Sequence, residues 1–242
     1  MTSCPNLLLT STIITILFVL TALALLPYLS SSSYFPNQYV MAAHSSSSLQ
    51  HHKTTGEDGI QICCSWGDQI ADGILTYRII GGSNSQAVKA VHQAIDEWNS
   101  KVPNIKLQES ADDTKLADID IKFSSKASQV SRATTSTIVG GGHAIAARKN
   151  IKLAQPGEAV ISFDTKRLIT HVDITISTRA LGNSISSSEL ESIAKHEIGH
   201  AYGIGHADFV CDLMSPILFI GRTDISVSRG DINGIAEANN RN

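Results

Sequence analysis

Residues 196 to 206 read His-Glu-Ile-Gly-His-Ala-Tyr-Gly-Ile-Gly-His, which puts three imidazoles and one carboxylate within eleven positions. Four residues advance a helix by about 400°, so His196 and His200 project from one face on successive turns and can reach one metal ion. Gly203 can take a positive φ, which ends the helix and swings the chain so that His206 returns as a third ligand. Three neutral imidazoles leave a fourth tetrahedral position for water, as a catalytic zinc requires and a structural zinc does not. Glu197 then stands beside that water as its base. At this chain's own His, Glu and Gly frequencies the fixed positions arise by chance about 3 times in 10⁵, so the spacing is read as a site rather than as ordinary helix residues.

The helix that carries this pattern must be anchored on both sides. Ser188 to Glu191 fits a capping box, and Leu190, Ile193, Ala194, Ile198 and Ala201 recur at helical spacing after it. A second amphipathic helix is expected from Ser85 to Ser100, with Val88, Val91, Ile95 and Trp98 as its apolar stripe. A last helix is expected to begin at Ser228, with Asp231 at N3 and Ile232, Ile235 and Ala236 on its buried face. Strands are expected at Gly73 to Ile80, Ile105 to Leu107, Ala117 to Phe123, Val160 to Phe163 and His171 to Ile176. Between the third and fourth, Thr137 to Ala147 joins a glycine cluster to a short apolar run, the pattern of a bend leading into an exposed edge strand.

The remaining composition restricts the setting. Among 242 residues the 19 Lys and Arg nearly balance 22 Asp and Glu, for a net charge of -3, so no basic field is present to track nucleic acid. None of these charges precedes Lys53. Leu7 to Leu26 is an uncharged stretch of 20 residues, long enough for a helix that spans a bilayer core, and is read as a membrane anchor, with a cleaved signal as the alternative. Residues 27–59, rich in Ser and containing His44, His51 and His52, read as a flexible stalk. The expected organisation is therefore an anchor or signal over 1–26, a stalk over 27–59 and one domain over 60–242. If the helix spans the membrane, Cys4 is separated from Cys63, Cys64 and Cys211. Vicinal cysteines rarely bridge, so Cys211 is expected to pair with Cys63 or Cys64. A latent thiolate on zinc and three free thiols are the alternatives.

Met214 follows His206 within Asp212-Leu213-Met214-Ser215-Pro216, where it can form an apolar floor beneath the imidazoles. The chain resembles the metzincin metalloproteases, and within them the matrixins. LTYRI at 75 to 79, ADIDIKF at 117 to 123, LMSP at 213 to 216 and GDINGI at 230 to 235 recur in that family's order, over roughly residues 74 to 239. The resemblance implies an α+β fold, with a twisted mixed five-stranded sheet, an active-site helix and a C-terminal helix, here preceded by an N-terminal hydrophobic helix. It implies one catalytic Zn²⁺ on His196, His200 and His206, with Glu197 as base and Met214 as the turn methionine.

The implied activity is endopeptidase cleavage of a protein or peptide by a zinc-activated water. The substrate would pair with the edge at Gly142, His143, Ala144 and Ile145, and a pocket would be floored by Ile217 to Ile220. Structural Ca²⁺ or a second Zn²⁺ remains an open alternative, with His143, His171 and Asp173 as its candidate remnants. The matrixins' acidic glycine-rich loops and PRCGxPD latency motif are absent. The expected enzyme is a monomer that binds no nucleic acid and is anchored through residues 7–26 on the extracytoplasmic side, or secreted. The competing functions are a catalytically silent zinc-bearing adhesion module on the membrane surface and a hydrolase of a non-peptide amide.

Overall fold

Runs of β-branched residues set the sheet, and the sheet sets everything that packs on it. The computed structural model describes residues 39–40, 59–82, 84–111, 115–126, 128–140, 143–209, 212–216, 218–219 and 225–239, with only the backbone described for 39–40, 128–154 and 218–219. The elements in order are β1 (Tyr39–Val40), β2 (Ile60–Ile62), a 3-10 turn (Gly67–Ile70), β3 (Ile74–Ile80), α1 (Ser85–Lys101), β4 (Lys106–Glu109) and β5 (Ile119–Ser124). They continue with β6 (Ser128–Gly140), β7 (His143–Gln155), β8 (Gly157–Phe163), β9 (Ile169–Ser177), β10 (Arg179–Ala180), β11 (Asn183–Ser184), α2 (Ser187–Ala201), β12 (Ile204–Ala207), β13 (Leu218–Phe219) and α3 (Arg229–Asn239).

The principal sheet has five strands in the order β4-β3-β5-β9-β8, parallel except for the antiparallel terminal strand β8. This is the expected α+β arrangement. Its core face carries Ile119 and Ile121 of β5, Val172, Ile174 and Ile176 of β9, and Ala159 of β8, all buried. The other face is polar: Arg78, Asp120 and Asp173 stand in register across β3, β5 and β9, with Val160 of β8 next in the row.

Helices α1 and α2 cover the core face. Asn84 caps α1 by accepting from the Gln86 and Ala87 amides, and Ala87, Ala90, Val91, Ala94, Ile95 and Trp98 form its buried stripe. The N-cap of α2 lies two residues before the expected one. Ser186 is the N-cap, its amide donating to Glu189 Oε2 at 2.9 Å while its hydroxyl accepts from the Glu189 amide. The Ser-rich run offers two S-x-x-E frames, Ser186 to Glu189 and Ser188 to Glu191, and the first is the one used. A cap is worth about 1 kcal/mol, whereas one fully buried Leu or Ile contributes about 2 kcal/mol. With Leu190, Ile193 and Ile198 all buried, packing decides where the helix lies.

Three further expectations are corrected. The Thr137 to Ala147 segment is not an edge of the main sheet: it belongs to the long hairpin β6–β7, paired from Ser128↔Gln155 to Gly140↔His143 in a second sheet of order β13-β1-β7-β6. Cys63 is bonded to Cys64, not to Cys211. Both amides of the pair donate to the single carbonyl of Gly203, at 2.9 and 3.2 Å, which bends the chain at the two cysteines. In α3 the buried face is Asp231, Gly234, Ile235 and Ala238, while Ala236 is exposed. Gly234 faces inward, where an added Cβ would come within 3.1 Å of Ile60 and Ile204, so the glycine lets α3 pack close to them.

The Leu7–Leu26 segment, Gly142, Cys211, Ile217 and Ile220 lie outside the described residues, as does the 27–59 stretch apart from β1 and Gly59. Among the described residues no helix is long and apolar enough to cross a membrane.

Asp231 gives the fold a pH signature. It caps α3 reciprocally with Ser228, its Oδ2 accepting from the Ser228 amide at 2.8 Å and its own amide donating to Ser228 Oγ at 3.1 Å. Burial, reinforced by the neighbouring Asp212 carboxylate, pushes the Asp231 carboxyl up from 3.8 to about 7. The folded state therefore holds this proton more tightly than the unfolded chain, and its contribution to stability is lost as pH rises from about 4 to about 7. The variant Asp231→Asn keeps the cap acceptor without the charge. Its melting temperature relative to wild type is expected to rise between about pH 4 and 7 and level off above, and a difference independent of pH would contradict this account.

Candidate metal centre

The inner side of α2 carries the chemistry. His196, Glu197 and His200 are at most 1% exposed, an unusual burial for such groups. Two indoles hold the helix in place. Trp98 Nε1 of α1 donates to the Lys195 carbonyl at 3.0 Å, and Trp66 Nε1 donates to the Ala201 carbonyl at 2.7 Å. Lys195 Nζ lies 2.9 Å from Glu97 Oε2, tying α2 to α1 once more.

The helix ends as the spacing predicted. Gly203 adopts φ +94°, and a Cβ there would strike the Cys64 carbonyl, so only glycine turns the chain at this point. The chain then enters β12, which pairs with β2 and carries His206 back toward the helix. The nearest nitrogens of His196, His200 and His206 lie within 4.8 Å of one another. Their ring centroids are 4.7, 4.9 and 5.5 Å apart.

Tautomers are set by the backbone. His196 Nδ1 donates to the Leu213 carbonyl at 2.7 Å, and His200 Nδ1 donates to the Ile204 carbonyl at 3.0 Å. Each neutral ring then has a bare lone pair at Nε2, and those two Nε2 atoms face each other at 3.1 Å. Two lone pairs at that distance repel unless a cation lies between them. A tetrahedral zinc at about 2.05 Å from each nitrogen would separate them by about 3.3 Å, so the residues fit this ion. His206 supplies a third Nε2, buried from solvent.

Glu197 completes the constellation. Both carboxylate oxygens are buried and accept no hydrogen bond from the described residues. Burial first, and the nearby Glu158 second, hold its carboxyl well above the usual carboxylate range. A group so placed returns a proton less readily to water than an exposed carboxyl and is set to carry one. The wall against it is β8: a Cβ on Gly157 would fall inside the Glu197 carboxyl group. Gly157 is a functional position that reading the sequence missed, because Pro156-Gly157 there resembles a turn rather than the start of a strand.

Met214 is fully buried beneath the histidines' helix, and a Cβ on Gly199 would collide with its sulfur. The turn around it is self-supporting, with the Met214 amide donating to Asp212 Oδ1 at 2.8 Å and its carbonyl accepting from the Ala207 amide at 2.8 Å. Of the expected substrate edge, His143, Ala144 and Ile145 lie in β7, hydrogen-bonded to β6. Among the described residues, the strand beside Glu197 with an unpaired side is β8. Of the expected pocket floor, Leu218–Phe219 form β13.

The second cluster, Asp120, His171 and Asp173, is already neutralised by protein cations. Arg78 holds Asp120 with Nε–Oδ1 3.1 Å and Nη2–Oδ2 3.0 Å, and Lys122 Nζ bonds to Asp173 Oδ1. His171 Nε2 stands 3.6 Å from Asp173 and 4.0 Å from Asp120, with its Nδ1 at 2.9 Å from the Ala117 carbonyl. A dication added to this group would meet two fixed positive charges, so these residues do not fit a second metal.

Three imidazoles converging from a helix and the strand after it, a buried glutamate between two of them and a methionine turn below define a metzincin-type metal centre. The chain belongs to the matrixin family, whose profile matches residues 66–239. It is also similar to metalloendoproteinase 2-MMP of Arabidopsis thaliana, with 38% identity over 47 residues. That match covers 19% of this chain and 12% of the relative, so the chain spans in it only a small part of that protein's length.

Elemental analysis of the purified protein is expected to return one zinc per chain, and added calcium is expected to leave the melting temperature unchanged; a second tightly held metal would contradict the reading of Arg78 and Lys122. In His206→Ala, which removes one of three ligands, zinc affinity measured against a competing chelator is expected to fall by at least about tenfold. The variant Gly157→Ala is expected to keep its zinc while losing turnover, because the new methyl displaces the Glu197 carboxyl group.

Proposed function

We propose that the domain is a zinc-dependent endopeptidase. The observation that carries the reading is Glu197, a carboxyl group buried without a hydrogen bond next to two converged imidazoles. A fold merely stapled by metal has no use for such a group, since leaving a buried polar atom unpaired costs about 1–3 kcal/mol.

Zn²⁺ bound by His196, His200 and His206 would supply Lewis acidity to water and to the scissile carbonyl. Glu197 takes the water proton at a carboxylate oxygen and later delivers it to the leaving amine nitrogen. The Leu213 and Ile204 carbonyls keep the Nε2 atoms of His196 and His200 pointed at the ion throughout. An extended peptide adds to the open side of β8, the terminal strand of the sheet, where main-chain pairing aligns it without reading most of its side chains. The residues at Gly157 leave space at that edge directly over Glu197.

Family membership favours peptide bonds over other amides, and the buried glutamate favours turnover over a silent adhesion module. We further propose an extracytoplasmic location, through Leu7–Leu26 as anchor or signal, with the Cys63–Cys64 bond in keeping with an oxidising compartment. The variant Glu197→Gln tests the mechanism. It is expected to retain one zinc while kcat against a peptide library falls by roughly 10³-fold or more, because it removes the proton carrier and no ligand; turnover near wild type would sink the reading.

A further inference from the structure

The open side of β8 is more than a backbone template. Strand pairing fixes which of its side chains face which way. Gly157, Ala159 and Ile161 are in register with Ile176, Ile174 and Val172, and so face the core with α2 packed against them. Glu158, Val160 and Ser162 are in register with Thr175, Asp173 and His171, and so face the polar side. Val160 is 40% exposed, one of three large apolar side chains so exposed among the described residues. Glu158 is half-buried and has no ion-pair partner among the described residues. Asp173, the acid nearest to it on this face by register, is taken by Lys122. Among the described residues Glu158 is thus a carboxylate without a counter-charge, one residue from Gly157, where an added Cβ would meet Glu197.

We infer that Glu158 and Val160 select the substrate sequence, Glu158 by attracting a Lys or Arg side chain within one residue of the cleaved bond and Val160 by contacting an apolar side chain two positions away. A peptide added to β8 places its side chains on the same alternating faces as the strand. Directly opposed pairs lie about 5 Å apart, within reach of a charge pair. The peptide residue opposite Gly157 meets Glu197, so the residue opposite Glu158 is its immediate neighbour. In the antiparallel ladder, the more stable of the two, the peptide direction is reversed relative to β8. Read from N to C terminus, the favoured sequence is apolar, any residue, then basic, with cleavage beside the basic residue. Like charges directly opposite destabilise pairing, so Asp or Glu at that position is disfavoured. This inference rests on the endopeptidase reading and specifies its substrate class.

The test is a set of peptides differing only in Lys, Gln or Glu at the position opposite Glu158, cleaved by the zinc-loaded full chain. Wild type is expected to prefer Lys to Glu by roughly tenfold in kcat/KM, with the gap narrowing as salt is raised. In Glu158→Gln the preference is expected to vanish, and in Glu158→Lys to reverse. The same order is expected for peptide binding to zinc-loaded Glu197→Gln, measured by fluorescence anisotropy, which separates selection from chemistry. Equal use of Lys and Glu peptides by a wild-type protein that cleaves both would overturn the charge selection and leave the peptidase reading standing. Failure of wild type to cut any peptide in the set or a random library would overturn both.

Discussion

Two backbone carbonyls decide what this site can be. Those of Leu213 and Ile204 take the Nδ1 protons of His196 and His200, and by doing so leave both Nε2 lone pairs facing each other across 3.1 Å. Every other local feature serves the placement of those two oxygens. The Leu213 carbonyl comes from a turn held by Asp212 and by the Ala207 amide, on the strand that carries His206. The Ile204 carbonyl stands two residues before His206, just past the glycine that ends α2. The strand that delivers the third imidazole thus also orients His200 and braces the turn that orients His196. An arrangement in which ligand and orienting group share one short segment tolerates little independent movement, which is what a metal centre needs to hold its coordination geometry.

Glycine is used here to bring groups together rather than to loosen the chain. Gly199 sits between the paired histidines and lets the Met214 sulfur approach the helix; Gly157 lets β8 approach the Glu197 carboxyl group; Gly203 takes a conformation that other residues reach only with strain. Two of these three lie within the eleven-residue pattern itself, so the sequence of the helix encodes what presses against it as well as what it binds. The result is a carboxyl group with sheet on one side and imidazoles on the other, deprived of water and of hydrogen bonds. Its high proton affinity follows from that enclosure.

How much of this was readable before the structure depended on the range of the interaction. The histidine spacing, the Gly203 stop and the Asp231 position at the start of α3 are set within one or two helical turns, and the structure has them where the periodicity put them. The strands near Gly73–Ile80, Ala117–Phe123 and His171–Ile176 were legible because β-branched residues cluster in them. The failures are non-local. Nothing in Thr137 to Ala147 states whether its partner is the main sheet or its own other half, and the hairpin, with Thr137 opposite Ala146, wins because it closes the shorter loop. The cysteine pairing failed for a similar reason: the bend at Cys63 and Cys64 is imposed by the Gly203 carbonyl, some 140 residues away in the chain. The open edge at Gly157 could not be found without knowing that β8, and not β7, ends the sheet.

The polar face of the same sheet follows a different electrostatic rule from the core face. At Glu197 the protein leaves a carboxyl group unpaired where a cation is to be bound. At Asp120 on β5 and Asp173 on β9 it supplies the cations itself, a guanidinium with two parallel bonds and an ammonium. The geometry of Arg suits the first, since its planar fork matches a carboxylate and its charge is never lost. A surface pair of this kind is worth little energy alone, but Asp120 is only 5% exposed, and removing Arg78 would leave a buried charge without its two-bond partner. Charge on this face is therefore balanced from within as far as β9. The balance stops at Glu158 on the terminal strand, where the next chain to pair would be a substrate. An acid with no ion-pair partner among the described residues, on this terminal strand and one residue from the Gly157 position that touches Glu197, gives that edge a preference for cationic partners before any pocket is considered.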